Sequence, residues 1–424
     1  MKDKVIAICR LIEKHHAWRR SCLNMIASES LTSPLVEAVI ASDFSRRYSS
    51  EGAYAGDKYF VEIYQIVIDL AKSIFNAKYV DVRPIVGNMT VLACVTGLTH
   101  PGDTIMTFDP DYGGYPIPIA DWAGINMSYY PFDPETLAIK VDEAREKILA
   151  VRPNLVIFGA SSYLFPHPVS VLAKAAHEVG GMVYYDGSHV MGLIAGGQFQ
   201  NPFAEGTDVL AGSTHKTIPG PQRGIVATNE EELSKKIDAV MGSSCFLQSN
   251  FHPATLVALG VALAEVKQFG SAFAVQVIKN AQALAQALAE EGIPVLGSKQ
   301  GYTRSHQVIL KTEGFGCRRA VESKGKLEEV GIISDTVPRF GVQEITRLGM
   351  KEAEMKRIAV LVADAIKERR SPQEIRKDVR NLAAAHQKTH FSFQDGEEAY
   401  SFIGSSMLRQ LCESSEGRGG EEHG

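Results

Sequence analysis

Apolar positions change period several times along the 424-residue chain, and the changes divide it into segments. Near the start, Val5, Ile8, Leu11 and Ile12 follow a helical spacing and predict an amphipathic arm whose apolar side could lie against another surface. Between about residues 60 and 270, helix-period stretches such as Ile63 to Phe75 alternate with short apolar runs: Thr104 to Phe108, Leu155 to Phe158, Met182 to Tyr185 and Ile225 to Ala227. A strand covered on both faces reads as a continuous apolar run, so this alternation predicts helices packed on a largely parallel sheet. Ala254 to Phe269 and Phe273 to Ala289 read as two helices broken at Gly270 and Ser271. Strand character resumes at Ile293 to Leu296, which Pro294 confines to an edge or a strand start, and at Gln307 to Leu310; Lys351 to Lys367 then reads as a charged helix. The expected organisation is an arm over residues 1–45, a large α/β domain over 46–270, a smaller α+β domain over 271–395 and a tail over 396–424. The tail's last residues, ESSEGRGGEEHG, are too small and polar to offset ordering entropy, and disorder is expected there.

Composition narrows the class. Hydrophobic residues make up 45% and charged residues 22%, values of a globular protein with a sizeable core. Lys and Arg total 44 against 49 Asp and Glu, so there is no basic excess to neutralise a phosphate backbone, and nucleic acid is not expected as a partner. Cys9, Cys22, Cys94, Cys245, Cys317 and Cys412 fall singly, without the paired spacings of a zinc site or a disulfide framework. The apolar run from Val5 to Cys9 is too short for a signal core or a membrane span, so a cytoplasmic location is expected. Neither Gly113-Gly114 nor Gly196-Gly197 forms a dinucleotide fingerprint, and His15-His16 with Glu13 lacks the further ligands a metal would need; no metal is expected.

The segment Tyr184-Tyr185-Asp186-Gly187-Ser188-His189 puts an acid at the end of an apolar strand, and Ser213-Thr214-His215-Lys216-Thr217 follows about 30 positions later. Strand ends are where α/β sheets build sites. An Asp there can pair with a protonated ring nitrogen and a Lys on a following turn can form a Schiff base, the two contributions that pyridoxal phosphate requires. Either residue alone reads more simply as a helix cap or a solvated lysine. Together, with Lys216 in the low-charge loop that continues through Pro219-Gly220-Pro221-Gln222-Arg223-Gly224, they favour the cofactor reading. A phosphate would then sit against Gly87-Asn88-Met89-Thr90, where glycine admits backbone N–H groups and a helix start favours an anion.

Several ordered motifs resemble the serine hydroxymethyltransferase family of pyridoxal phosphate enzymes: Ile26-Ala27-Ser28-Glu29-Ser30, Tyr48 with Glu51-Gly52, Pro101-Gly102-Asp103-Thr104, Gly159-Ala160-Ser161-Ser162-Tyr163, Asp186 with His189, Thr214-His215-Lys216-Thr217, and Arg339 before Ile345-Thr346-Arg347-Leu348-Gly349. The resemblance covers most of residues 20 to 385 and implies fold type I: a three-layer α/β/α domain with a mainly parallel sheet, plus a smaller α+β C-terminal domain. It implies Lys216 as the cofactor lysine, Asp186 as the pyridinium partner, and His189 and Ser161 beside the phenolic oxygen. Further cofactor contacts are implied for Tyr48, Gly87, Asn88, Tyr115, Ser213 and His215. Ser28 and Arg339 are implied to hold the amino-acid carboxylate, which suits a guanidinium fork. Glu51 is implied as the acid or base near the substrate hydroxyl, with Tyr59 beside it, in a homodimer or dimer of dimers with sites at the interface.

Four features depart from the family pattern. Tyr115 stands where a histidine usually stacks on the cofactor ring, Phe60 where the second of two tyrosines is usual, Gln248-Ser249-Asn250 replaces a glycine pair that usually reaches across a dimer interface to the partner's phosphate, and the segment from Val330 to Pro338 is shorter than the loop that helps hold a pterin. Three readings therefore stay open: interconversion of serine and glycine with a tetrahydropterin-type carrier, a carrier-independent β-hydroxy amino acid aldolase or transaldolase, and a non-catalytic protein that binds the cofactor.

Overall fold

The computed structural model describes residues 2–50, 54–242, 247–311, 320–335, 339–400 and 406. Glu51 and Gly52, Thr336 to Pro338 of the shortened loop, and the ESSEGRGGEEHG tail lie outside the described residues. Seven strands form the central sheet: β1 (Tyr79–Asp81), β2 (Thr104–Thr107), β3 (Asn126–Tyr129), β4 (Leu155–Phe158), β5 (Met182–Asp186), β6 (Val209–Ser213) and β7 (Gly224–Thr228). Their spatial order is β1-β7-β6-β5-β4-β2-β3. Pairing is parallel from β3 through β6, and β7 runs antiparallel to both of its neighbours. Every residue of β4, β6 and β7 is buried, as expected of strands covered on both faces. The architecture is the three-layer arrangement expected: a mixed, mostly parallel sheet between helical layers.

Two expectations are corrected. Residues 253 to 290 form a single helix, Pro253–Glu290, that runs unbroken through Gly270. Leu259, Leu263, Val266, Gly270, Phe273, Val277, Ala281, Leu284 and Leu288 keep a three-four spacing throughout and are all buried, so Gly270 is a member of the apolar stripe and not its end. A carbon added to Gly196 would come within 2.5 Å of the Gly270 carbonyl oxygen, and the small residues at this crossing allow two backbones to approach. The strand expected over Ile293 to Leu296 reduces to one bridge, Val295 to Leu310.

Beyond this helix, strand Gln307–Ile309 pairs antiparallel with Arg339–Gly341, and helix Glu352–Ile366 packs along the Pro253–Glu290 helix. The first helix, Lys2–Arg20, buries Ile6 and Cys9 but leaves Val5, Ile8 and Leu11 exposed. After it, Leu23 and Asn24 pair in parallel with Ile332 and Ile333, which ties the chain's start to the segment just before Arg339.

Candidate active site

Asp186 is the last residue of β5 and is 5% exposed. Its Oδ1 accepts the Ser188 N–H at 2.9 Å, and the Gly187 N–H returns to the Ala211 carbonyl of β6 at 2.8 Å, so the chain leaving the strand is held in a tight turn. Lys216 lies three residues past the end of β6, in the loop that leads into β7. Thr214 closes that loop by donating its hydroxyl to Pro221 O (2.7 Å) and accepting Gly220 N–H at its carbonyl (3.1 Å). Fully buried Arg223 fixes the base of the loop by donating to Phe251 O, Val82 O and the Thr255 hydroxyl at 2.8 to 2.9 Å.

Two contacts bring the lysine loop onto the aspartate turn. The Thr217 hydroxyl donates to His189 O (3.0 Å) and accepts from Gly192 N–H (2.9 Å), and a carbon on Gly192 would lie 2.1 Å from Thr217 O. Only glycine permits that approach. The result is one cavity of about 350 Å³ lined by Gly87, Asn88, Tyr115, Ser161, Asp186, His189, Ser213, His215 and Lys216. Nine of the sequence-derived residues therefore meet at one place.

Burial lowers Lys216 to about 8, against the pull of Asp186 and Asp335 and with the push of Arg339. At neutral pH an appreciable fraction is a neutral amine, as a nucleophile requires. Burial and then Lys216 hold His215 down at about 4, and burial drives His189 well below its ordinary range, so both rings are neutral. Tyr115, expected as a stacking ring, donates its hydroxyl to Asp186 Oδ2 at 2.5 Å. Both carboxylate oxygens of Asp186 thus already carry a hydrogen bond.

Helix Gly87–Leu98 opens on the cavity, and a carbon added to Gly87 would lie 2.8 Å from Ser213 Cβ, so its first turn presses against the end of β6. A buried carboxylate, a lysine of lowered basicity, a helix start without a side-chain cap and His215, whose Nδ1 has no partner among the described residues, form a donor set that fits pyridoxal phosphate.

Arg339 reaches the edge of this cavity. It donates to Ser161 O and, through Nε, to Asp335 Oδ2 at 2.8 Å. Asp335 also accepts the Ala27 N–H at 3.3 Å, next to Ser28. Ser28 itself lines a neighbouring cavity of about 670 Å³ that shares His215 and Gln222 with the first. Tyr48 and Tyr59 do not line the Lys216 cavity: Tyr59 is 65% exposed on helix Lys58–Phe75, and the Tyr48 hydroxyl donates to Ser249 Oγ at 2.6 Å. The sequence reading missed Asp335 and Gln307. Gln307 donates to Ser161 O and His189 Nδ1, and only an acid or amide beside a family motif would have hinted at either residue.

The family model described as serine hydroxymethyltransferase matches residues 1–362. The chain belongs to that family. It is 42% identical over 421 residues to the serine hydroxymethyltransferase of Methanopyrus kandleri, with 94% of this chain and 97% of that protein covered. Identity to the serine hydroxymethyltransferase of Pyrococcus abyssi is 39%, covering 93% and 97%. Among solved structures it is similar to the L-threonine transaldolase of Pseudomonas fluorescens, crystallised in its internal aldimine state, at 28% identity and a TM-score of 0.86, covering 96% of this chain and 97% of that one. Membership of the serine hydroxymethyltransferase family and this neighbour make the chain an enzyme of the pyridoxal phosphate class, acting on small molecules as a hydroxymethyltransferase or an aldolase.

Proposed function

We propose that this member of the serine hydroxymethyltransferase family interconverts serine and glycine with a tetrahydropterin-type one-carbon carrier. The observation that carries the reading is the convergence of Lys216 and Asp186 on one cavity in a chain aligned over nearly its full length with serine hydroxymethyltransferases. Pyridoxal phosphate, when bound, supplies an aldehyde and a cationic ring that takes up the electron pair of a breaking Cα bond. Lys216, neutral in part, would bind the aldehyde and receive a proton at Nζ. Asp186 would hold the proton on the ring nitrogen, and the N–H groups at the start of helix Gly87–Leu98, with Ser213 and Asn88, would take the phosphate. Arg339, with Ser28, would fix the amino-acid carboxylate and so align the bond to be broken.

Glu51, Tyr48 and Tyr59 would complete the pocket from a second copy of the chain, in a homodimer or a dimer of dimers working in the cytoplasm. The exposure of Tyr59, Ile66, Ile8 and Leu11 supports such an interface. Serine supplied with and without tetrahydrofolate tests the activity: glycine formation that depends on the carrier is expected, and its absence overturns the assignment. The resemblance to a threonine transaldolase favours a second reading, in which threonine is cleaved without any carrier. Threonine supplied alone, with the released aldehyde measured, separates the two.

A further inference from the structure

Gln307, the first residue of strand Gln307–Ile309, has no accessible surface and makes three hydrogen bonds through its side chain. Its Oε1 accepts the Tyr163 N–H at 2.8 Å; its Nε2 donates to Ser161 O at 3.0 Å and faces His189 Nδ1 at 3.0 Å. Two of these partners admit no choice. A backbone N–H can only donate and a backbone carbonyl can only accept, so the amide has one orientation. The second N–H of Nε2 then points at His189 Nδ1, which must offer a lone pair.

A neutral imidazole carries one proton, and with Nδ1 accepting, that proton resides on Nε2. The ring is further held against His306, with centroids 5.6 Å apart and planes 16° from parallel, and His306 Nε2 in turn meets Ala27 O at 3.1 Å. Protonation of His189 is opposed by burial and by Lys216, Arg339, His306 and His215 around it. Among the described residues Nε2 of His189 has no hydrogen-bond partner, and the ring lines the Lys216 cavity.

We propose that Gln307 is a positioning residue that locks His189 as the neutral Nε2–H tautomer, presenting the cavity with a fixed, uncharged donor for an anionic oxygen such as the cofactor's phenolate. The second half of this statement rests on pyridoxal phosphate occupying the cavity; the first half does not.

Histidine-selective ¹⁵N NMR on the full-length protein, with His189 assigned by the signal lost in His189→Asn, reads the tautomer directly. The expected result, with or without cofactor, is a pyridine-type Nδ1 and a protonated Nε2. Gln307→Glu replaces the donor by an acceptor and is expected to draw a proton onto Nδ1. Gln307→Met removes both options and is expected to give a mixture. In the loaded protein Gln307→Glu should shift the visible absorbance maximum and lower kcat about tenfold to a hundredfold with KM for the amino acid little changed. A protonated Nδ1 in the unsubstituted protein overturns the proposal, as does a tautomer indifferent to both substitutions. If the tautomer is as expected but added pyridoxal phosphate produces no visible band, the cofactor reading fails and the role of Gln307 stands.

Discussion

Two buried ionic sites lie on opposite sides of the structural logic of this chain. In the core, Arg347 and Glu265 meet at 2.5 Å, each 1% exposed, and join the Pro253–Glu290 helix to the short helix Gln343–Arg347 that follows Arg339. In the cavity, Asp186 is 5% exposed and Lys216 only partly buried; the two are not bonded to each other, and Asp186 spends its oxygens on Tyr115 and Ser188. Both charges in the first site are consumed by the fold. In the second they face a space, and the resulting cost of holding Lys216 charged is visible as its lowered basicity. Buried charge held apart over a cavity marks chemistry, whereas buried charge in contact marks packing.

Removing the lysine is expected to have the largest effect and to act oppositely on activity and stability. Lys216→Met should abolish covalent attachment of the cofactor and lower turnover at least about a thousandfold. In the cofactor-free protein the same change should stabilise. The lysine titrates near 8 when folded and near 10.5 otherwise, so the folded state binds fewer protons between those values. The penalty for charging it is complete below pH 8 and fades as the pH rises to 10.5. Thermal unfolding should show a gain of about 3 kcal/mol at neutral pH that vanishes in alkali. A loss of stability at pH 7 would place the lysine in a bonded pair like that of Arg347.

Glu265→Ala is the converse. It strands the Arg347 guanidinium without its counter-charge and is expected to cost about 3–5 kcal/mol of stability, read by urea unfolding, while cofactor binding in the protein that remains folded is unchanged. A third, smaller effect is expected at the cavity edge. Arg339→Lys keeps a charge but loses the fork that now reaches Ser161 O and Asp335 together. It should raise KM for the amino acid about tenfold and alter kcat less. An unchanged KM would remove the carboxylate clamp.

How much of this was legible beforehand depended on the kind of contact. The alternating sheet was readable because β2, β4, β5 and β7 lie on short apolar runs. Asp186 and Lys216 stood out because charged residues rarely follow such runs so closely. The continuous helix was misread because Gly270-Ser271 was weighed as a local breaker, whereas the three-four stripe across it, set by packing against Gly196, decided the outcome. Arg347, which falls within one of the motifs that carry the family resemblance, serves the core. Gln307 was invisible: its partners Ser161, Tyr163 and His189 are 118 or more positions away, and a lone glutamine in a short strand carries no local signal of what it will meet.

The smallest effect is expected at Tyr115, and it asks how far the cavity differs from the core. If the Tyr115 hydroxyl satisfies Asp186 only while the cavity has no ring nitrogen to offer, it competes with the cofactor for the same carboxylate. Tyr115→Phe should then weaken the cofactor-free protein by about 1.5–3 kcal/mol, the worth of a hydrogen bond to a charged group. It should also tighten pyridoxal phosphate binding two- to tenfold, because Asp186 Oδ2 is freed, while the face of the ring stays available for stacking. Equilibrium dialysis of the cofactor reads the sign directly. Weaker binding in the variant would mean that the hydroxyl supports the cofactor instead of Asp186, and the cavity would then share with the Arg347 pair the property of being closed around its own charges.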